Sequence, residues 1–234
     1  MEGFANSKDV DNYSILAKYY DELLIGDETF SEWLDYIEKE QFNTVLELAS
    51  GTGVLAGILK NKGYDIIASD ISEDMKSAAK VNYDGEYLIL NMIEYHLDKK
   101  FDLILCICDS FNYLNIDELD SFFKSAYEHL NENGRLIFDM HSVTRLKEFE
   151  EEYIEEGFID NIPYQWSIMS DTYDKQIYQH FTFYRDNLMI QEHHSQNVFE
   201  IDEVLNIMNK YFECEVIDDF VLDEKVLMIG RKVK

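Results

Sequence analysis

The chain has 234 residues, of which 46% are hydrophobic, enough for one compact core with an insertion or a small lid. Its 20 Lys and Arg are outnumbered by 48 Asp and Glu, and the net charge of −28 repels phosphate backbones, so we expect no nucleic-acid partner. No apolar run approaches the roughly 20 residues that a membrane span needs, and the first residues lack the order of a signal peptide. We therefore expect a cytoplasmic protein without a membrane partner.

The first 40 residues are predicted to form helices that cap the remainder of the chain. Between Tyr13 and Leu24 the apolar side chains recur every three or four positions, which places them on one face of a helix. Residues 28–39 show the same period and predict a second helix.

Residues 44–140 alternate short apolar runs with helical stretches. Strands are predicted at 44–48, 65–69, 86–89, 101–107 and 135–140, and helices at 55–61, 73–81 and 117–130. Near-continuous apolar strands separated by helices are typical of a parallel sheet that is covered on both faces.

The pattern changes after residue 140. A short helix is predicted at 142–149, then a solvated acidic stretch at 148–156, and then three runs rich in aromatic and β-branched residues at 164–173, 176–184 and 188–199. Residues 174–175 and 186–187 between these runs are predicted hairpin turns, so the runs indicate an antiparallel meander inserted into the α/β unit. A helix at 201–212 and strands at 214–219 and 225–231 close the chain.

Residues 45–55 (VLELASGTGVL) carry the strongest indication of a ligand site. A buried strand runs into a turn of small residues, where Gly51 and Gly53 let the backbone approach a ligand closely. Asp70 ends the next strand, and a carboxylate at that place in nucleotide-binding α/β folds accepts hydrogen bonds from ribose hydroxyls. The same glycines also satisfy a dinucleotide fingerprint, so an oxidoreductase that uses NAD is the alternative. Glu47, inside the strand, counts against that alternative because a dinucleotide site has no evident use for it.

Four segments resemble motifs of the class I S-adenosylmethionine-dependent methyltransferases. Residues 47–53 resemble motif I, with Ala49 in place of the usual first glycine, and Asp70 is similar to the ribose-binding acid of motif II. Asn91-Met92 follows the third strand, where the family more often has Asp. Residues 106–114 resemble motif IV, which lines the methionine end of the cofactor.

The resemblance implies that S-adenosylmethionine is the cofactor and that Ile71 packs on its adenine. The residues that it assigns to cofactor binding are Tyr13, Tyr20, Glu47, Ala49, Gly51, Gly53, Asp70, Ile71, Met75, Asn91, Met92, Cys108 and Asn112. The flanking segments, 13–21 and 192–196, narrow the resemblance to small bacterial enzymes with a β insertion. Those enzymes are similar to sugar-amine and glycine N-methyltransferase-like proteins.

The fold that follows is an α/β Rossmann-like, seven-stranded, mostly parallel sheet with helices on both faces, N-terminal helices and an inserted three-stranded antiparallel β lid. We expect residues 1–145 and 200–234 to form the cofactor domain, with residues 1–40 as its helical cap. Residues 146–199 are expected to form the lid over the substrate.

The residues on the acceptor side are less constrained by pattern. His141 follows the fifth strand, at the edge where α/β sheets bind ligands, and either bonds to backbone or acts as a base. A period of two places Glu192, His194 and Gln196 on one strand face, where they either fix the lid or face the acceptor. We take His141, His194 and Glu192 as the candidate catalytic residues. Trp166 belongs either to the lid core or to an aromatic wall around the substrate.

No metal site is predicted, because Cys106 and Cys108 lack the two-residue spacer of a zinc pair and no second Cys/His pair follows them. We expect a small-molecule or peptide acceptor, with an amine nitrogen favoured and a cationic acceptor as one option, and a monomer or homodimer. A non-catalytic module that binds the cofactor is a further alternative to the enzyme.

Overall fold

The computed structural model describes residues 6–9, 13–26, 28–221 and 224–233. The helices are α1 (Leu16–Leu24), α2 (Ser31–Ile37), α3 (Val54–Asn61), α4 (Glu73–Ala78), α5 (Leu119–His129), α6 (Thr144–Glu148) and α7 (Ile201–Met208). The strands are β1 (Asn6–Asp9), β2 (Thr44–Glu47), β3 (Asp65–Asp70), β4 (Glu86–Ile89), β5 (Phe101–Cys106), β6 (Leu130–His141), β7 (Tyr153–Ile159), β8 (Ile162–Asp171), β9 (Gln176–Arg185), β10 (Leu188–Asn197), β11 (Glu213–Phe220) and β12 (Lys225–Arg231). None of the described helices is long and apolar enough to cross a membrane.

The larger sheet has seven strands in the order β11-β12-β6-β5-β2-β3-β4. Strands β2 to β6 pair in parallel, whereas β12 lies antiparallel between β6 and β11. This confirms the predicted Rossmann-like α/β sheet. The chain moves outward from β2 to β3 and β4, then returns to the other side of β2 to form β5. A crevice therefore opens where the carboxyl ends of β2 and β5 diverge, which is where such sheets bind ligands.

The central strands are buried on both faces because consecutive side chains point to opposite sides of the sheet. Val45 packs into a core with α2 and α3, and its neighbour Leu46 packs into a second core with α5 and α7. Leu103 and Ile104 on β5 divide between the same two cores. Neither face of these strands meets water at these positions, so the residues there are apolar.

The second sheet has the order β1-β10-β9-β8-β7, and its last four strands form an antiparallel meander. The lid was expected to have three strands, and the structure adds a fourth, β7. The first part of β7 overlaps residues 148–156, which were expected to be a solvated acidic stretch. β7 is an edge strand that is largely exposed, so its sequence carries no strong alternation of apolar and polar residues. Gly157 lies within it because a Cβ there would approach the ring of Tyr164 to 2.8 Å.

Of the two turns predicted to have two residues, the structure has one. Strands β8 and β9 are joined by the four residues 172–175, whereas β9 and β10 are joined by 186–187 alone. Asp186 and Asn187 both have positive φ (53° and 61°), as a two-residue turn between twisted strands requires. The same Asp-Asn pair at 160–161 joins β7 to β8 with φ of 49° and 62°. That pair was a recognisable turn, and it could have located the fourth strand.

The N-terminal region is not entirely helical. Residues 6–9 form β1, which pairs in parallel with β10. Helix α1 then packs through Leu16 and Tyr19 on the second sheet, against Phe181 and Phe183. Helix α2, in contrast, packs on the larger sheet. The N-terminal region therefore contacts both sheets.

Candidate active site

One cavity of about 920 Å³ lies between the carboxyl ends of the parallel strands, helix α1 and the second sheet. Its volume is near the upper end of the range of about 300–1,000 Å³ that is typical of small-molecule sites. The loops that follow β2, β3, β4 and β5 and the last residue of β6 each contribute to its wall, namely through Gly51, Ile71, Asn91, Asp109 and His141.

The glycine loop turns tightly because three of its residues have positive φ: Ala49 at 50°, Gly51 at 54° and Gly53 at 71°. A Cβ built on Gly51 would meet no atom within 4 Å, so this glycine opens on free space in the cavity wall. A Cβ on Gly53 would instead approach Tyr83 to 3.1 Å, and Gly53 does not line the cavity. The first glycine leaves room for a ligand, and the second allows α3 to pack closely.

Asp70 lies at the end of β3 with its carboxylate held by two backbone donors. The N–H of Gly51 donates to Oδ2 at 3.0 Å, and the N–H of Ser72 donates to Oδ1 at 2.9 Å. Burial raises the pKa of Asp70 above its usual value. Beside it Ile71 is 67% exposed, although it is apolar and lines the cavity. A carboxylate next to an uncovered apolar side chain fits the ribose and adenine of a bound nucleoside.

Met75, Asn91 and Met92 also line this end of the cavity. The Oδ1 of Asn91 accepts the N–H of Ile93 at 2.9 Å, which fixes the amide orientation. A carbonyl oxygen has a second lone pair, so this atom can still accept a hydrogen bond from an adenine amino group.

Two predicted cofactor residues lie behind the wall. Glu47 is buried, accepts the hydroxyl of Ser50 at 2.6 Å, and has its pKa raised to about 8 by burial. Asn112 accepts the N–H of His141 at 3.0 Å and donates to the carbonyl of Asn197 at 2.6 Å. Both support the loops that form the wall.

A buried charged cluster holds the loop after β5. Asp139, on β6, accepts the N–H of Cys108 at 2.6 Å and that of Asp109 at 3.0 Å, and both of these residues have positive φ. It also accepts the indole N–H of Trp33 at 3.0 Å. The Nζ of Lys225 lies 3.3 Å from Asp139 Oδ2 and is ion-paired with Asp109. This cluster was not predicted from the sequence, although an acid inside an apolar strand could have indicated it.

The cluster sets the protonation of Asp109. Burial alone would raise the pKa of Asp109, but the positive charge that His141 carries when it is protonated and that of Lys225 lower it to about 2. Burial alone would likewise lower the pKa of Lys225, and the two carboxylates raise it above its usual value. The result is an ionised carboxylate in the cavity wall.

His141 and His194 both line the acceptor end of the cavity. The Nε2 of His141 lies 3.1 Å from Gln196 Oε1, and its Nδ1 lies 3.3 Å from Asp109 Oδ1. The Nδ1 of His194 lies 3.0 Å from the hydroxyl of Tyr113, which in turn lies 2.7 Å from the hydroxyl of Tyr13. Trp166 lines the same end, stacked on Phe181 with ring centroids 5.4 Å apart.

Glu192, the third candidate catalytic residue, lies behind the wall and is fully buried. Its carboxylate accepts three backbone N–H groups at the start of α1: Tyr13 at 2.9 Å, Ile15 at 2.5 Å and Leu16 at 2.9 Å. The structure therefore brings the two histidines to the cavity and places Glu192 as the support of α1.

Two tyrosines that were assigned to cofactor binding lie on and just before α1: Tyr20 is within the helix, and Tyr13 precedes it with a positive φ of 65°. Tyr13 and Tyr20 line the cavity with their rings 6.1 Å apart. Asp21, one residue further, accepts the hydroxyl of Thr52 in the glycine loop and an N–H of Asn82 at 2.7 Å. The helix is therefore bound to the glycine loop at one end and to Glu192 at the other.

Among the described residues, no three His, Cys, Asp or Glu side chains are grouped so that they could hold a metal ion.

Residues 45–134 match a family model described as a methyltransferase domain. A protein of Geobacillus sp. (strain WCH70), named provisionally as a methyltransferase, is 26% identical over 94% of this chain and 99% of its own length. The fold is similar to that of an S-adenosylmethionine-dependent methyltransferase from Clostridium acetobutylicum ATCC 824, with a TM-score of 0.77, 24% identity, and 95% and 99% of the two chains covered. It is also similar to the sugar N-methyltransferase KedS8 from Streptoalloteichus sp ATCC 53650, with a TM-score of 0.78, 17% identity, and 92% and 93% covered.

The matched segment contains the glycine loop, Asp70, Asn91 and the loop after β5, so it includes most of the predicted cofactor end. The fold, the glycine loop and the match to a methyltransferase domain together indicate a transferase that uses a nucleoside cofactor. They favour this class of protein over an oxidoreductase that uses NAD. Residues 45–134 therefore form a methyltransferase domain, and the chain is an S-adenosylmethionine-dependent methyltransferase with S-adenosylmethionine as its methyl donor.

Proposed function

We propose that the enzyme methylates an amine nitrogen of a small molecule or peptide that binds between the cofactor and the second sheet. The observation that carries the proposal is the ionised carboxylate of Asp109 in the wall of a cavity that reaches from the glycine loop to the second sheet. Its side chain remains 23% exposed, so it can meet a ligand. An anion at this place attracts an ammonium group and offers nothing comparable to a neutral hydroxyl.

The residues at the other end fit the cofactor. Asp70 would accept hydrogen bonds from the ribose hydroxyls, and Ile71 and Met92 would pack on the adenine. The backbone at Gly51 leaves free space in the cavity wall that the bound cofactor could occupy. When bound, the cofactor supplies a methyl group that its sulfonium already activates. The protein then has to align the acceptor nitrogen and exclude water.

An amine must also lose a proton before it can attack, and His141 is placed to receive it. Burial lowers the pKa of His141 below its usual value, so the ring is neutral at pH 7 and available as a base. Its Nδ1 lies beside the carboxylate of Asp109, where an ammonium group would bind. The net charge of −28 and the likeness to a sugar N-methyltransferase support a cationic acceptor.

The same geometry supports a division of the chain into two units. Residues 1–145 and 200–234 would bind the cofactor, and residues 146–199 would form the lid that selects the acceptor. Trp166, Gln179 and His194 supply the lid's side of the cavity.

The experiment compares acceptors that differ in one group. The enzyme, with S-adenosylmethionine, is given a panel of small amines and short peptides, each paired with an analogue that carries a hydroxyl in place of the amine. S-adenosylhomocysteine release and the mass of the product are measured. We expect turnover with amines alone, and a methyl group found on oxygen or carbon would overturn the proposal.

Asp109→Asn tests the carboxylate directly. We expect kcat/KM for the amine to fall by about tenfold to a hundredfold, because a charge-assisted contact in a buried site is lost. Asp202→Asn, the same change on the outer surface of α7, is the control and should leave kcat/KM unchanged. Cofactor binding measured by calorimetry shows whether each variant keeps its site.

A further inference from the structure

Three neighbouring strands of the second sheet each supply one side chain to a hydrogen-bonded chain. Trp166 on β8 donates its indole N–H to Gln179 Oε1 at 3.2 Å. Gln179 on β9 donates from Nε2 to Gln196 Oε1 at 2.9 Å. Gln196 on β10 donates from Nε2 to the backbone carbonyl of Asp109 at 3.1 Å.

The direction of this chain is fixed at both ends. An indole nitrogen can only donate, and a backbone carbonyl can only accept. Reversing both amides would place the NH₂ of Gln179 against the N–H of Trp166, and the oxygen of Gln196 against the carbonyl of Asp109. Reversing one amide would leave two donors or two acceptors facing each other between the glutamines. The oxygen of Gln196 therefore faces His141.

This orientation determines where neutral His141 carries its proton. Both nitrogens lie near an oxygen, but only Nε2 is in hydrogen-bonding geometry, 3.1 Å from the acceptor Gln196 Oε1. A neutral ring makes that hydrogen bond only with its proton on Nε2. Nδ1 then holds the lone pair, and it lies 3.3 Å from Asp109 Oδ1. Within the part of the chain that the structure describes, His141 Nδ1 is buried and has no hydrogen-bond partner.

We propose that the second sheet sets the tautomer of the active-site histidine: Trp166, Gln179 and Gln196 are positioning residues that keep the proton of His141 on Nε2. Nδ1, beside Asp109, is then the atom that gains a proton. The functional consequence rests on the proposed function, in which His141 is the base for the acceptor amine. There an N–H bond of the acceptor ammonium breaks, its electron pair stays on nitrogen as the nucleophile, and the proton bonds to Nδ1.

The imidazolium formed in this way has an oxygen close to each nitrogen. Nε2–H donates to Gln196 Oε1, and the carboxylate of Asp109 lies 3.3 Å from Nδ1, where its negative charge stabilises the cation. The charged groups around the ring are Asp109, Lys225 and Arg145. Burial lowers the pKa of His141, while Asp109 and the Gln196 hydrogen bond raise it, and Lys225 and Arg145 lower it. Removing the Gln196 acceptor should therefore lower the pKa of His141 further.

The tautomer is measured by long-range proton–nitrogen NMR correlation on the full chain labelled with ¹⁵N-histidine, with and without S-adenosylhomocysteine. His141 is assigned by the loss of its signals in His141→Gln. We expect the Nε2–H tautomer in the parent protein. In Gln196→Met the ratio of the two tautomers should shift by roughly tenfold toward Nδ1–H, since one buried acceptor is lost.

Two further variants separate this role from simple packing. Gln196→Glu keeps an acceptor toward His141 and adds a negative charge, so it should keep the proton on Nε2 and raise the pKa of His141. Gln191→Met makes the same substitution as Gln196→Met on the opposite face of β10 and should change neither the tautomer nor the pKa. An Nδ1–H tautomer in the parent protein, or an unchanged tautomer in Gln196→Met, would overturn the proposal.

The pH profile of methyl transfer links the tautomer to catalysis. In Gln196→Met the acidic limb of kcat should move to lower pH, with KM for the acceptor less affected than kcat. If the parent protein shows the Nε2–H tautomer but no amine is methylated, the proposed function fails and the assignment of the tautomer stands. If the parent enzyme methylates an amine but shows the Nδ1–H tautomer, the proposed function stands and the assignment of the tautomer fails.

Discussion

At the scale of single residues, Glu47 is an ionisable carboxyl group that the fold buries away from water. It receives one side-chain hydrogen bond, from Ser50, and burial raises its pKa from 4.5 to about 8. The folded protein therefore binds this proton more tightly than the unfolded chain does. The resulting stabilisation is complete below about pH 4.5 and is lost as the pH rises to about 8.

Replacing Glu47 by glutamine should remove most of that dependence. Glutamine keeps an oxygen for the Ser50 hydroxyl but does not ionise, so at pH 8 we expect Glu47→Gln to be more stable than the parent protein by a few kcal/mol. Urea unfolding between pH 5 and about pH 8 measures the slope. Glu94→Gln, at an exposed position, is the control. Equal slopes for the two variants would show that Glu47 titrates as it does in water.

Lys225 is the cation that allows two carboxylates to be buried together. In Lys225→Met, Asp109 and Asp139 lose their partner, and we expect a loss of about 3–5 kcal/mol. Adding Asp139→Asn should recover part of that loss, because only one unpaired carboxylate then remains. Urea unfolding of the two single variants and the double variant forms a double-mutant cycle. Additive losses would mean that the three side chains do not act as a unit.

At the scale of elements, α1 depends on groups that are distant in sequence. A helix of nine residues is marginal on its own, so its order must come from its contacts. The carboxylate of Glu192 accepts three N–H groups at its start, and the donor at Leu16 is 176 residues away. Because Tyr20 on α1 and Tyr13 just before it both line the cavity, Glu192 controls one wall of the cavity from behind it.

Glu192→Ala should therefore loosen α1 more than any other element. Three backbone donors would lose a buried acceptor, and we expect amide hydrogen exchange across residues 13–24 to accelerate by about tenfold or more. Exchange detected by mass spectrometry, peptide by peptide, locates the effect. Ser195→Ala, on the exposed face of the same strand, should leave the exchange unchanged. Equal acceleration across the whole chain would indicate global destabilisation instead.

How far the sequence predicts each element follows from how that element is buried. The central strands are buried on both faces, so most of their apolar runs were located to within a residue or two. Strand β6 is the exception: it begins at Leu130, five residues before its predicted start, because residues 131–134 are polar. The edge strands β1 and β7 bury little, and no periodicity marked them. The glycine loop and Asp70 could be predicted as cofactor residues because the pattern that marks them is local in the sequence. Asp139 with Lys225, and Glu192 with α1, were not found, because their roles depend on pairing across the fold.

At the scale of the whole molecule, the net charge of −28 acts on every part of the fold. Like charges on a compact surface repel one another, and the unfolded chain relieves that repulsion by separating them. The described surface ion pairs, such as Lys62 with Glu38 and Lys99 with Asp65, each contribute at most about 1 kcal/mol. Repulsion among the excess carboxylates should therefore dominate the electrostatic contribution to stability.

Salt should consequently stabilise this protein. Raising the ionic strength from about 10 mM to about 100 mM shortens the Debye length from about 30 Å to about 10 Å, which screens repulsion between distant carboxylates more than attraction within close pairs. We expect Tm at pH 7.5 to rise by several degrees in sodium chloride, measured by circular dichroism or calorimetry. The rise should shrink as the pH approaches the sequence isoelectric point of about 4.3, where the net charge disappears. A Tm that falls with salt at pH 7.5 would mean that the ion pairs outweigh the excess negative charge.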